Sequence, residues 1–293
     1  MSPRAWRAAA AADTAALDIA AANSKERVPR KVRRVYETLE YSWEERIALV
    51  RLNRPQKLNA ISPQMVRELR AVTDLIREDE GIRAVVFTGN GRAFSAGADI
   101  SQLVGMSEPP EFLRFIEEIQ TTYNAIEDLN RPTIAAMNGL AYGGGCELAL
   151  ACDLRIMAEE AGIGVPEIQI GVLPGAGGTQ RLSHMLPPVI AKQLIYFGEP
   201  LSSAQALQHG LVNAVVPTEQ VLDTALDWAR RLAKLPPLAL RSAKLLVHAG
   251  INGDLKTGIE AERLALAFLF STADRAEGMQ AFLEKRTASF QGR

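Results

Sequence analysis

Apolar positions along this chain fall into two rhythms. Through the first two-thirds, short apolar runs alternate with stretches where apolar residues recur every third or fourth position, which predicts strands followed by amphipathic helices. Strands are expected at 47–52, 84–88, 133–137, 154–157 and 211–216, with 84–88 and 133–137 apolar enough to be buried on both faces. Ser62-Pro63 predicts a cap with proline at the first helical position, and Met65, Leu69, Val72 and Leu75 carry that helix to about residue 79. A helix over 111–129 aligns Phe112, Phe115, Ile119, Tyr123 and Ile126, and Asn130-Arg131-Pro132 stops it. Further helices are expected over 144–151, from 175–179 onward, and over 189–197 and 202–209. From residue 218 the strand rhythm disappears, and 218–234, 237–248, 255–270 and 274–286 all read as helix.

The change of rhythm sets an expected boundary between residues 200 and 217. It divides the chain into an arm (1–37), an α/β core carrying the site (38–210) and a helical region (211–293). The arm is set apart by its alanine runs and a basic cluster at Arg27, Arg30, Lys31, Arg33 and Arg34. An organelle transit peptide would be poor in acids, and Asp13, Asp18 and Glu26 weigh against one. A loose arm is therefore expected.

Composition narrows the function classes. With 47% hydrophobic and 23% charged residues over 293 positions, the chain is that of a soluble globular protein, and no apolar run is long enough to span a bilayer. A formal net charge of -1 offers no basic excess for nucleic acid. Cys146 and Cys152 lie in one apolar run and read as buried thiols, and His184, His209 and His248 lack metal-ligand spacing. No metal is expected.

Candidate chemistry concentrates between Asn138 and Leu182. Glu147 follows three glycines, Gly143 to Gly145, and Glu167 follows Pro166. Either carboxylate alone is explicable as an acid in the first turn of a helix. The glycines change that reading, because a bare backbone lets an N–H approach a ligand, and Gly144 becomes a candidate oxyanion donor. Glu167 has Ile163, Val165, Ile168 and Ile170 around it in sequence, and desolvation among them would raise its pKa. One ionised and one protonated carboxyl form the base and acid that hydration of a polarised double bond requires. Ser95-Ala96-Gly97-Ala98-Asp99 is a second bare turn after a buried strand, and it does not fit a G-x-S-x-G nucleophile elbow. The turn at Gly175 to Gly178 lacks the lysine of a P-loop and reads as helix-start packing.

From about Tyr36 onward the chain resembles the enoyl-CoA hydratase/isomerase (crotonase) superfamily. The resemblance is carried by NRPQKLNAI at 53–61, FSAGADI at 94–100, NGLAYGGGCELALACD at 138–153, PEIQIGVLPGAGGTQRL at 166–182 and EGMQAFLEKR at 277–286. It implies an α/β fold, a crotonase-like spiral of ββα units with an all-helical C-terminal trimerisation region, and a homotrimer or a dimer of trimers. The resemblance also implies an acyl-CoA substrate and no cofactor. Its thioester carbonyl would lie between the N–H groups of Ala98 and Gly144, with Ala96, Asp99 and Ile100 along the CoA-binding strand end. Glu147 and Glu167 match the two catalytic glutamates, which implies syn addition of water to a 2-trans-enoyl-CoA. Two departures stand out: Tyr142 replaces a common aliphatic residue, and Ser101 replaces a common lysine.

Two rival readings follow. On the same fold, a 3,2-enoyl-CoA isomerase or another acyl-CoA lyase would use mainly Glu167. In another class, an RNA-binding relative would need a basic helix, but Arg67, Arg70 and Arg77 are interleaved with Glu68, Asp74, Glu78 and Asp79. The segment 101–112, rich in Gly, Ser and Pro, reads as a lid. A cytoplasmic location is expected, or the mitochondrial matrix if the arm is a transit peptide.

Overall fold

The computed structural model describes residues 32–106 and 108–293, and most of the arm lies outside the described residues. Its last residues, Val32–Val35, form β1, which pairs antiparallel with β2 (Leu39–Glu44). Next come β3 (Ile47–Leu52), α1 (Pro63–Glu78), β4 (Ala84–Gly89), β5 (Ala93–Ser95), α2 (Ile100–Leu103), α3 (Pro109–Glu127), β6 (Thr133–Met137) and β7 (Leu140–Tyr142). After α4 (Gly144–Leu150) come β8 (Leu154–Ala158), β9 (Gly162–Gly164), α5 (Gly178–Met185), α6 (Pro188–Phe197), β10 (Leu201–Ser202), α7 (Ser203–Gln208) and β11 (Ala214–Val216). Four helices close the chain: α8 (Val221–Ala233), α9 (Pro237–Asn252), α10 (Leu255–Phe270) and α11 (Ala273–Glu284).

Among the described residues these strands make two sheets. A seven-stranded sheet runs β1-β2-β3-β4-β6-β8-β11, antiparallel at the β1–β3 edge and parallel thereafter. A smaller sheet runs β10-β9-β7-β5, with β7 parallel to both of its neighbours. Every residue of β4 and β6 is buried, as continuous apolar runs in the middle of a parallel sheet require.

Helix α1 starts as its sequence predicts, with the Ser62 side chain accepting from Met65 N. It buries Met65, Leu69, Val72 and Ile76 and packs against α3. The strand expected over 211–216 is shorter, because Leu211 and Val212 are buried in the turn that follows Gly210, where the Leu211 N–H bonds back to Ala206 O. Helix α8 buries Val221, Ala225 and Ala229 and packs on β4 and β6, so the large sheet takes both a strand and a helix from beyond residue 210. By contrast, α9 and α10 bury no residue fully, and they present Leu245, Ile251, Leu264 and Phe268 outward. Among the described residues no helix is long and apolar enough to cross a membrane.

Candidate active site

The small sheet brings together the two glycine-bearing turns. After β5 the chain runs beside Ile61: Ile61 N donates to Gly97 O at 2.7 Å and Asp99 N donates to Ile61 O at 2.9 Å. Successive amides of an extended segment point to opposite sides, so the Ala98 N–H faces away from Ile61. After the parallel neighbour β7, the chain turns through Gly143 (φ +50°) into α4. The Gly144 N–H is the first of the helix and has no acceptor within it.

The turns touch. A Cβ on Gly97 would stand 2.9 Å from Tyr142 O and 3.4 Å from Gly144 N, and a Cβ on Gly144 would stand 3.8 Å from Ala98 N. The three consecutive glycines have separate reasons. Gly143 occupies a backbone region that side chains avoid, Gly144 faces Ala98, and Gly145 packs on β5, where a Cβ would lie 2.6 Å from Ser95. Tyr123 of α3, fully buried, fixes this turn from behind by donating to Gly144 O at 2.8 Å.

Glu147 is 2% exposed. Its Oε1 accepts from Ala176 N at 2.7 Å and from Gly178 N at 2.8 Å. Ala176 lies in the glycine-rich loop before α5 and Gly178 is the helix's first residue, so the loop and the helix start both turn an amide onto the carboxylate. Burial, with a contribution from Glu167, pushes the Glu147 pKa up to about 7 against the pull of those two N–H groups.

Glu167 lies in a single-turn helix, Pro166–Ile170. Its pKa is raised by burial, and its Oε2 is buried without a hydrogen-bond partner. Such an atom is rare, because desolvating an oxygen without compensation costs about 1–3 kcal/mol. Its other oxygen faces the glycine turn, 2.8 Å from where a Cβ on Gly143 would be. Glu167 and Glu147 thus flank the same turn.

The remaining expected site residues divide. Ala96 and Ala98 are half-buried along the strand end and Ile100 is exposed. Asp99 is 5% exposed, and its carboxylate is spent on protein partners: Oδ2 accepts from Arg54 Nη2 at 2.7 Å and Oδ1 from Ser101 Oγ at 2.6 Å. Sequence reasoning missed Arg54, which also donates to Ala60 O at 2.6 Å, and Arg181, which is buried beneath the Glu147 loop. Both stand inside motifs quoted above, but a motif does not say which way a side chain turns. Of the lid expected over 101–112, residues 101–103 belong to α2 and 109–112 to the first turn of α3. Among the described residues no group of three or more His, Cys, Asp or Glu is placed to hold a metal ion.

The site is thus an α/β arrangement of two touching glycine-bearing turns with one buried and one half-buried carboxyl beside them. The chain belongs to the enoyl-CoA hydratase/isomerase family, whose model matches residues 42–293. It is 38% identical over 256 residues to the crotonyl-CoA hydratase of Syntrophomonas wolfei, covering 87% of this chain and 98% of that protein. To the short-chain-enoyl-CoA hydratase of Clostridium acetobutylicum it is 39% identical over 244 residues, covering 83% and 93%. The crystal structure of an enoyl-CoA hydratase from Bacillus anthracis superposes with a TM-score of 0.83 at 39% identity, covering 90% of this chain and 99% of that one.

Proposed function

We propose that the protein is an enoyl-CoA hydratase that adds water across a 2-trans-enoyl-CoA to give a 3-hydroxyacyl-CoA. The observation that carries this reading is the pair of carboxyls beside the Gly143–Gly144 turn, Glu147 buried on two amides and Glu167 half-buried with a buried, unpartnered Oε2. The thioester oxygen takes the N–H groups of Ala98 and Gly144, which draws electron density from C3 and stabilises the enolate that forms. Glu147, ionised, removes a proton from water as its oxygen bonds to C3. Glu167, protonated, gives its proton to C2 from the same side. Water is thereby divided into a hydroxyl at C3 and a hydrogen at C2, and the carboxyls regain their starting states by proton exchange.

Fixed by two amides, Glu147 suits the orienting of water, and the unpartnered Oε2 leaves Glu167 free to serve the substrate. That same free oxygen favours a second reading, a 3,2-enoyl-CoA isomerase in which Glu167 shuttles a proton between carbons. Crotonyl-CoA hydration, followed by loss of enoyl absorbance in the parent, Glu147→Gln and Glu167→Gln enzymes, separates them. The hydratase requires both carboxyls, whereas hydration that survives Glu147→Gln removes it.

The outward apolar residues of α9 and α10 support assembly as a homotrimer or a dimer of trimers. RNA binding is not part of the proposal, since Arg70 and Arg77 on α1 both pair with Asp74, at 2.8 and 3.0 Å. Bacterial relatives support a cytoplasmic location.

A further inference from the structure

We propose that Arg181 is a positioning residue for Glu147, acting through Ala176; this rests on the reading of Glu147 as the base. Arg181 projects from α5 and is 9% exposed. All three of its guanidinium nitrogens are engaged. Nε donates to Glu127 Oε2 at 3.0 Å, Nη2 to Asn124 Oδ1 at 2.7 Å and again to Glu127, and Nη1 to Ala176 O at 3.0 Å. Ala176 is the residue whose own N–H holds Glu147 Oε1 at 2.7 Å. One residue therefore links the cation and the carboxylate.

The loop wraps the guanidinium closely. A Cβ on Gly177, which has φ +103°, would lie 2.2 Å from Arg181 Nη1. Behind it, α3 holds both halves of the site: Asn124 and Glu127 hold Arg181, while Tyr123 one residue earlier holds Gly144 O. The planar fork matters here, since it reaches a carboxylate, an amide and a carbonyl at once, which an ammonium on a flexible stem does not.

Arg181 also sets charge at the base. The groups facing Glu147 are Glu167 from the Pro166–Ile170 turn, Arg181 from α5, the neutral Tyr123 hydroxyl from α3 and the neutral Cys146 thiol of its own helix. Of these Glu167 opposes ionisation of Glu147 and Arg181 favours it. Glu127 partly neutralises Arg181 from the far side.

The test is the pH dependence of kcat for crotonyl-CoA hydration in Arg181→Gln, Arg181→Lys and Glu127→Gln, normalised to folded enzyme by thermal unfolding. Misplacing the base by a fraction of an ångström lowers kcat about 10–100-fold in Arg181→Gln, while KM changes by less than about twofold. The acid limb of its profile moves to higher pH, because the carboxylate has lost its cation. In Arg181→Lys the limb returns toward the parent while kcat stays low. In Glu127→Gln the limb moves to lower pH, an opposite shift that destabilisation does not produce, so this variant decides the matter should Arg181→Gln fail to fold. Limbs that overlay the parent's, with rates explained by the folded fraction, overturn the proposal. A parent enzyme that hydrates nothing, or keeps hydrating as Glu147→Gln, overturns instead the reading beneath it.

Discussion

Gly143 and Glu167 face each other so closely that a Cβ on the glycine would stand 2.8 Å from the Glu167 carboxylate oxygen. The glycine also sits at φ +50° and ψ −126°, a backbone region where an L side chain is strained by about 1–3 kcal/mol. Gly143→Ala should therefore displace Glu167, the proposed proton donor, and twist the turn that carries the Gly144 N–H. Hydration should fall by about 10²-fold or more, as expected for loss of one oxyanion donor, with a modest drop in melting temperature. Retention of more than about a tenth of parental kcat/KM would place Glu167 elsewhere during turnover.

Glu147 should make the fold less stable above about pH 7. Its carboxyl is raised from 4.5 to about 7, so the folded chain keeps a proton that the unfolded chain releases. Stability then declines as pH rises from about 4.5 and levels off above about 7, by an amount on the order of 3 kcal/mol. Glutamine keeps an oxygen for the Ala176 and Gly178 amides but carries no charge. Glu147→Gln should melt higher than the parent at pH 8, and the gap should close toward pH 5. Parallel melting curves across that range would refute this.

Asp99 is held in the opposite sense. Burial raises its pKa, but hydrogen bonds from Ser101 and Arg54 outweigh that and bring it below the usual carboxylate range. Its contribution to stability is present above the unfolded value near 3.9 and is lost only as pH falls through the lower folded value. Removing one partner of such a buried pair costs about 3–5 kcal/mol, so Asp99→Ala should melt well below the parent, and urea unfolding measures the loss. Lys57, 3.5 Å from the same oxygen but half exposed, contributes little, and Lys57→Ala should change stability by less than about 1 kcal/mol.

The helical C-terminal region bears on assembly. Leu264 is 73% and Phe282 82% exposed in the single chain, and apolar side chains exposed together are a mark of interaction surfaces. Leu264→Asp combined with Phe268→Asp should yield a smaller species by light scattering with unchanged helix content. An unaltered mass would show that the assembly uses another face.

The long elements were legible because each repeats its signal. The α1 pattern recurs over four turns behind a Ser-Pro cap, and β4 and β6 are uninterrupted apolar runs. The small sheet was not legible, since β5, β7 and β9 have three residues each and β10 has two, too few for any period to show. Glu147, Glu167, Ala98 and Gly144 stood out as acids and bare backbone in quoted motifs. Arg181 and Arg54 did not, because an arginine that satisfies carbonyls and carboxylates inside the protein has the same letter as one in water. The role of Gly145 was equally hidden, being set by Ser95, fifty residues earlier and one strand away.

The parallel pairing of β5 with β7 has a further consequence. It sets the two glycine-bearing turns that follow these strands side by side, whereas α2 (Ile100–Leu103) belongs to neither sheet. Exchanging α2 for a segment of another length should therefore change which substrates are turned over while leaving the proposed donor turns in place.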